Sequence, residues 1–131
     1  MPASASPSAP TAAAPAGPFG RPYGVNRIDF GGLGGRKLAQ TEAFYVRSGG
    51  RIVECHTRFD ARVPWYVGEG RVPSGRFDLF SVALLELGHC LGLVHSRARP
   101  TPVMDPAIGP GVARRRSQPD DRAGERAIYG R

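Results

Sequence analysis

The stretch from Phe77 to Ser96 reads FDLFSVALLELGHCLGLVHS and constrains the fold more than any other part of the chain. Its apolar residues recur with the rhythm of a helix, and Asp78 stands where an N-cap is needed. Within the run Glu86 and His89 are three residues apart, which puts both side chains on one helix face. Gly92 follows at the same spacing and is free to take the positive φ that ends a helix and reverses the chain. That reversal brings His95 toward His89 from a new direction. Two imidazoles beside a carboxylate have the chemistry of a catalytic zinc site, in which neutral histidines hold the ion and a glutamate takes a proton from its bound water. Such a site needs one more ligand.

With the later Val103-Met104-Asp105-Pro106, the run resembles the metzincin metallopeptidases, whose pattern is H-E-x-x-H-x-x-G-x-x-H followed by a methionine turn. Glu86, His89, Gly92, His95 and Met104 match that pattern. The His95-Ser96 pair and the Val103-Met104-x-Pro106 ending are similar to the matrixin branch. Arg51 to Glu54, Phe59, Trp65, Asp120-Asp121, Gly124 and Ala127 to Gly130 extend the likeness over roughly residues 24 to 130. The resemblance implies an α+β, zincin-like fold: a small twisted mixed sheet packed on an active-site helix, with a C-terminal helix. It also implies a zinc metalloendopeptidase acting on peptide or protein substrates. Glu86 would be the catalytic base, His89 and His95 ligands of Zn2+, Met104 the apolar floor under the metal, and Gly92 the helix-ending turn. Residues 107 to 117 would shape the specificity pocket wall.

Leu85 departs from the pattern. It stands four residues before His89, where the family has its first zinc-binding histidine and where i, i+4 spacing lets two imidazoles grip one ion. Leucine has no donor atom, so the site is impaired as written. The only other histidine is His56, which strand alternation places with Glu54, Arg58 and Asp60, away from the face of Cys55, Thr57 and Phe59 that looks toward the helix. Asp105 is the other available donor, close to the methionine turn. Two functional classes follow: a metalloendopeptidase with an incomplete zinc site, or a non-catalytic relative that keeps the cleft and binds peptides along a sheet edge.

The remainder of the chain frames that site. Residues 1 to 20, rich in Ala, Pro and Ser, read as a disordered leader, and residues 21 to 131 as one domain. The leader lacks the basic start and apolar core of a signal peptide, although the resemblance implies secretion. No run approaches a membrane span. A net charge of +7 comes almost wholly from arginine. Nucleic-acid binding would need a clustered basic face, and the one dense run, Arg114-Arg115-Arg116, reads as a solvated loop. The expected partner is therefore a peptide or protein, not nucleic acid or membrane, and the chain is expected to be a monomer.

VNRIDF, residues 25 to 30, reads as a first strand with Ile28 and Phe30 on one face, and Arg51 to Phe59 as a strand forming a hairpin with the ambiguous segment from Leu38 to Arg47. Phe80, Ala83, Leu84, Leu87 and Leu91 are expected to pack on the sheet, leaving Leu85, Glu86 and His89 to the cleft. Trp65 reads as a packing anchor. Cys55 and Cys90 could pair or stay as buried thiols. Asp120 to Tyr129 reads as a closing helix whose acidic pair favours its positive end, with Arg122 and Glu125 at positions usually apolar in the resembling family.

Overall fold

The computed structural model describes residue 22 and residues 24–130; the leader, residues 1 to 20, lies outside them. Three strands form the main sheet: β1 (Arg27–Gly31), β2 (Ala39–Tyr45) and β3 (Ile52–Asp60). The order is β1-β3-β2, with β1 parallel to β3 and β2 antiparallel to it, so β2 is an outer strand. The hairpin and the mixed sheet expected from the sequence are both present. Two short strands, β4 (Trp65–Tyr66) and β5 (Phe77–Asp78), pair in parallel and deliver the chain into α1 (Leu79–Cys90). Pro119–Tyr129 forms α2.

Local chemistry sets the limits of α1. Asp78 is its N-cap, accepting a hydrogen bond from Ser81 N, and Gly92 has φ +92° just past its end. Strand alternation in β3 turns Cys55 toward the helix, and Cys55 and Cys90 form a disulfide between the central strand and the last residue of α1. The pairing left open by the sequence is thereby closed. Trp65 is a packing anchor as expected: its Nε1 donates to Asp60 O at 2.8 Å, and its ring meets Phe59 edge-on at 5.8 Å.

The helix packs on a different set of residues from the one expected. Its buried positions are Ser81, Val82, Leu85, Glu86 and Gly88, whereas Phe80, Leu87 and Leu91 are 53%, 41% and 48% exposed. The apolar rhythm runs nearly all round α1, so it could not say which face would be covered. The sheet and the methionine turn cover the face carrying Leu85. Ile28 and Phe30 do share one face of β1, and both are exposed.

The core under the cleft is small. Leu85, Val103 and Met104 form its buried cluster, with Leu84 and Leu93 packed against them. Burying a leucine of this kind stabilises by roughly 1.5–3 kcal/mol. Met104 lies so close to α1 that a Cβ on Gly88 would collide with its Sδ, which explains the glycine.

Candidate metal centre

His89 comes from the last turn of α1 and His95 from the loop that Gly92 turns back. Their Nε2 atoms are 3.0 Å apart and the rings meet edge-on, with centroids 4.7 Å apart. His89 Nδ1 lies 2.9 Å from Leu93 O. A carbonyl can only accept, so Nδ1 carries a proton, and in the neutral ring the lone pair is then on Nε2, the nitrogen facing His95. An outer hydrogen bond of this type orients a metal-binding imidazole. These two Nε2 atoms are the ones that would hold a metal ion here.

Glu86 is buried, and its Oε2 accepts the Thr41 hydroxyl from β2 at 2.5 Å. Thr41 also meets Thr57 on β3 at 3.0 Å, so the carboxylate is tied to both strands. Glu86 and His95 line the same cleft of about 420 Å³, together with Leu85, Leu38 and Ala39 of the outer-strand side, and Pro106 and Ile108 beyond the methionine turn. Nothing in the sequence signals Thr41, whose role depends on a contact 45 residues away.

Among the described residues no third donor joins the two imidazoles. Leu85 is only 7% exposed and belongs to the Val103–Met104 cluster, so the position four residues before His89 is filled by core packing. His56 is committed on the sheet's other side: its Nε2 lies 2.6 Å from Glu54 Oε2 and 3.2 Å from Val25 O. Asp105 turns onto its own loop, accepting from Ala107 N at 2.9 Å and facing Arg99 at 3.7 Å. Among the described residues no group of three or more His, Cys, Asp or Glu side chains could hold a metal ion. The residues present supply two imidazoles and do not complete a catalytic zinc site.

The polar frame around the cleft was partly hidden in the sequence. Asp121 of α2 accepts from Val103 N at 2.9 Å and Met104 N at 3.2 Å, fixing the methionine turn, and from Gln118 N at 2.8 Å. Its bond from Gln118 N belongs to a capping box at the start of α2, in a Gln-x-x-Asp pair outside the usual Ser/Thr-x-x-Glu/Gln signature. Arg122 and Glu125 are exposed, as polar residues prefer. The arginine run is only partly a solvated loop. Arg114 forks onto Asp105 O at 2.9 Å and Ala107 O at 2.8 Å, the carbonyls flanking Pro106. Arg115 grips Asp78 through two 2.8 Å bonds, at the opposite end of α1 from the histidines. Burial alone would raise the Asp78 carboxyl, but Arg115 and the Ser81 hydroxyl and amide outweigh it and hold it below its ordinary value.

The profile of the matrixin peptidase family matches residues 19–130. The chain belongs to the matrixin family. It is 37% identical to matrix metalloproteinase-25 of Mus musculus over 117 residues, which are 86% of this chain and 18% of that protein. Metalloendoproteinase 1 of Glycine max is 38% identical over 104 residues, covering 76% of this chain and 30% of that protein. This matrixin chain therefore spans less than a third of the length of those relatives. Its α+β architecture, with a mixed sheet and two helices, fits the family.

Proposed function

We propose that this chain is a matrixin domain in which peptide recognition outlasts hydrolysis. The cleft beside α1 receives an extended peptide, and β2, an outer strand among the described residues, offers an edge for main-chain pairing. His89 and His95 are the surviving metal ligands, Glu86 stands in the catalytic-base position, and Met104 forms the floor beneath the pair. When bound, zinc in such a site supplies Lewis-acid polarisation of a peptide carbonyl. The observation that carries the reading is Leu85, buried in the Met104 cluster at the position of the absent ligand. A working zinc hydrolase is the second reading, favoured by the bond that keeps His89 Nε2 facing His95.

The test compares the chain with its Leu85→His variant after zinc loading and dialysis, measuring zinc per chain and chelator-sensitive cleavage of a fluorogenic peptide. The unaltered chain is expected to retain well under one zinc and to leave the peptide intact, while Leu85→His retains about one. Stoichiometric zinc with cleavage by the unaltered chain would overturn the proposal in favour of the hydrolase.

A further inference from the structure

The cleft's two sides differ in chemistry. Its inner surface is apolar, built from Phe77, Val82, Leu85, Pro106 and Ile108. Its rim carries Arg36 and Lys37, from the loop that enters β2. Lys37 Nζ donates to the neutral Gln40 Oε1 at 3.2 Å, and among the described residues neither cation is ion-paired. Glu86 is the only carboxylate in the lining, and its Oε2 is taken by Thr41. The mouth therefore presents unneutralised positive charge beside an apolar slot, on a chain of net charge +7.

Such a surface distinguishes among peptides. We propose that the cleft selects an extended segment in which a bulky apolar side chain is flanked by an acidic one, the apolar group entering the slot and the carboxylate meeting Arg36 and Lys37. This inference rests on the peptide-binding reading above and adds the ligand's charge. An apolar anchor gives most of the affinity through burial, and the rim charges set orientation, encounter rate and choice of partner. Arg114 supports the selection by holding the carbonyls on both sides of Pro106, which keeps one wall of the slot in place. Exposed ion pairs contribute about 0.2–1 kcal/mol each, so two of them support a preference of roughly 2- to 30-fold, greatest at low salt.

Fluorescence anisotropy with the full chain tests this, using labelled decapeptides that share a central leucine and carry Glu, Gln or Lys on either side. The Glu peptide is expected to bind severalfold tighter than the Gln peptide in 20 mM salt, and the margin to shrink in 0.5 M salt. The doubly substituted Arg36→Glu, Lys37→Glu chain should reverse the order and prefer the Lys peptide. Both positions are exposed, and circular dichroism confirms that the variant is folded. Equal binding of Glu and Gln peptides would overturn the charge selection while leaving peptide recognition in place. Failure of the unaltered chain to bind any of the three would overturn both.

Discussion

The two ends of α1 are furnished very differently. At the N-terminal end Asp78, fully buried, takes hydrogen bonds from Ser81 N and Oγ and from two nitrogens of Arg115. Ser81 Oγ also accepts from Arg114 N at 2.7 Å, which joins the helix start to the loop holding the cleft wall. At the C-terminal end His89 has one imidazole partner, a backbone carbonyl behind it, and a leucine where another donor belongs. The first arrangement is complete as a structure. The second is complete as packing and, on the zinc reading proposed above, incomplete as chemistry. A leucine in the ligand position costs the fold nothing, because it joins the apolar cluster under the histidines, whereas an unpaired carboxylate at the other end would cost several kcal/mol.

The largest expected effect breaks the contrast at the histidine end. Leu85→His returns a donor at i, i+4 to His89, and zinc affinity is expected to rise by more than about 100-fold, since even outer-sphere partners are worth 10- to 100-fold. Competition against a chromogenic chelator reads the change. An affinity that stays within threefold of the unaltered chain would mean that the new imidazole is held away from the pair by the Val103–Met104 packing.

Arg115→Met breaks the contrast at the other end, leaving Asp78 buried without its cation. A loss of stability is expected at pH 7, read as a lower midpoint in urea unfolding. The pH dependence gives a sharper reading. In the unaltered chain the Asp78 carboxyl lies below its ordinary value, so its stabilisation is present above about pH 4 and is lost as pH falls through the folded value. Without Arg115 the folded value rises against the opposing pull of the two Ser81 bonds, so less of that stabilisation is present at neutral pH. The gap between variant and parent should therefore narrow toward pH 3. Asp60, held well below its usual range chiefly by the Arg62 side chain, contributes equally to both proteins and cancels. A gap that is the same at pH 3 and pH 7 would contradict this account of Arg115.

Asp121→Asn weakens the support shared by α2 and the methionine turn. One oxygen remains to accept, while the new amide faces either the Met104 N–H or the Val103 and Gln118 N–H groups together and cannot bond them. The expected loss is about 2–3 kcal/mol, in the range for charged hydrogen bonds and unsatisfied buried donors. A loss under 0.5 kcal/mol would show that the turn holds itself.

What could be read beforehand follows the range of the interactions involved. The helix, its Asp78 cap, the Gly92 reversal and the hairpin depend on neighbours, and the meeting of His89 with His95 needs only six residues of chain. The absent ligand was legible for the same reason. The arginine run looked solvated because Arg115's carboxylate is 37 residues away. In the sequence Asp121 answers only to the helix dipole, because its bonds to the methionine turn cross 17 and 18 residues. The covered face of α1 was misjudged because Phe80, Leu87 and Leu91 are as apolar as the buried set. Periodicity reports that a face is apolar, and tertiary structure decides what covers it.

The smallest expected effect concerns how His95 reaches its partner. Gly92 has φ +92°, and a Cβ there would meet Ile128 Cδ1 at 3.5 Å and Ile52 Cδ1 at 3.7 Å, ordinary contact distances. Gly92→Ala therefore carries backbone strain with no collision, and the expected loss is about 1–2 kcal/mol. If the strain is relieved by shifting the reversal, the imidazoles separate, and zinc affinity in a Leu85→His background should fall along with stability. If the alanine is simply held in place, stability falls alone and affinity is unchanged. The first outcome would make Gly92 part of the donor geometry; the second would confine it to ending the helix, with the bond from His89 to Leu93 O keeping the pair aligned.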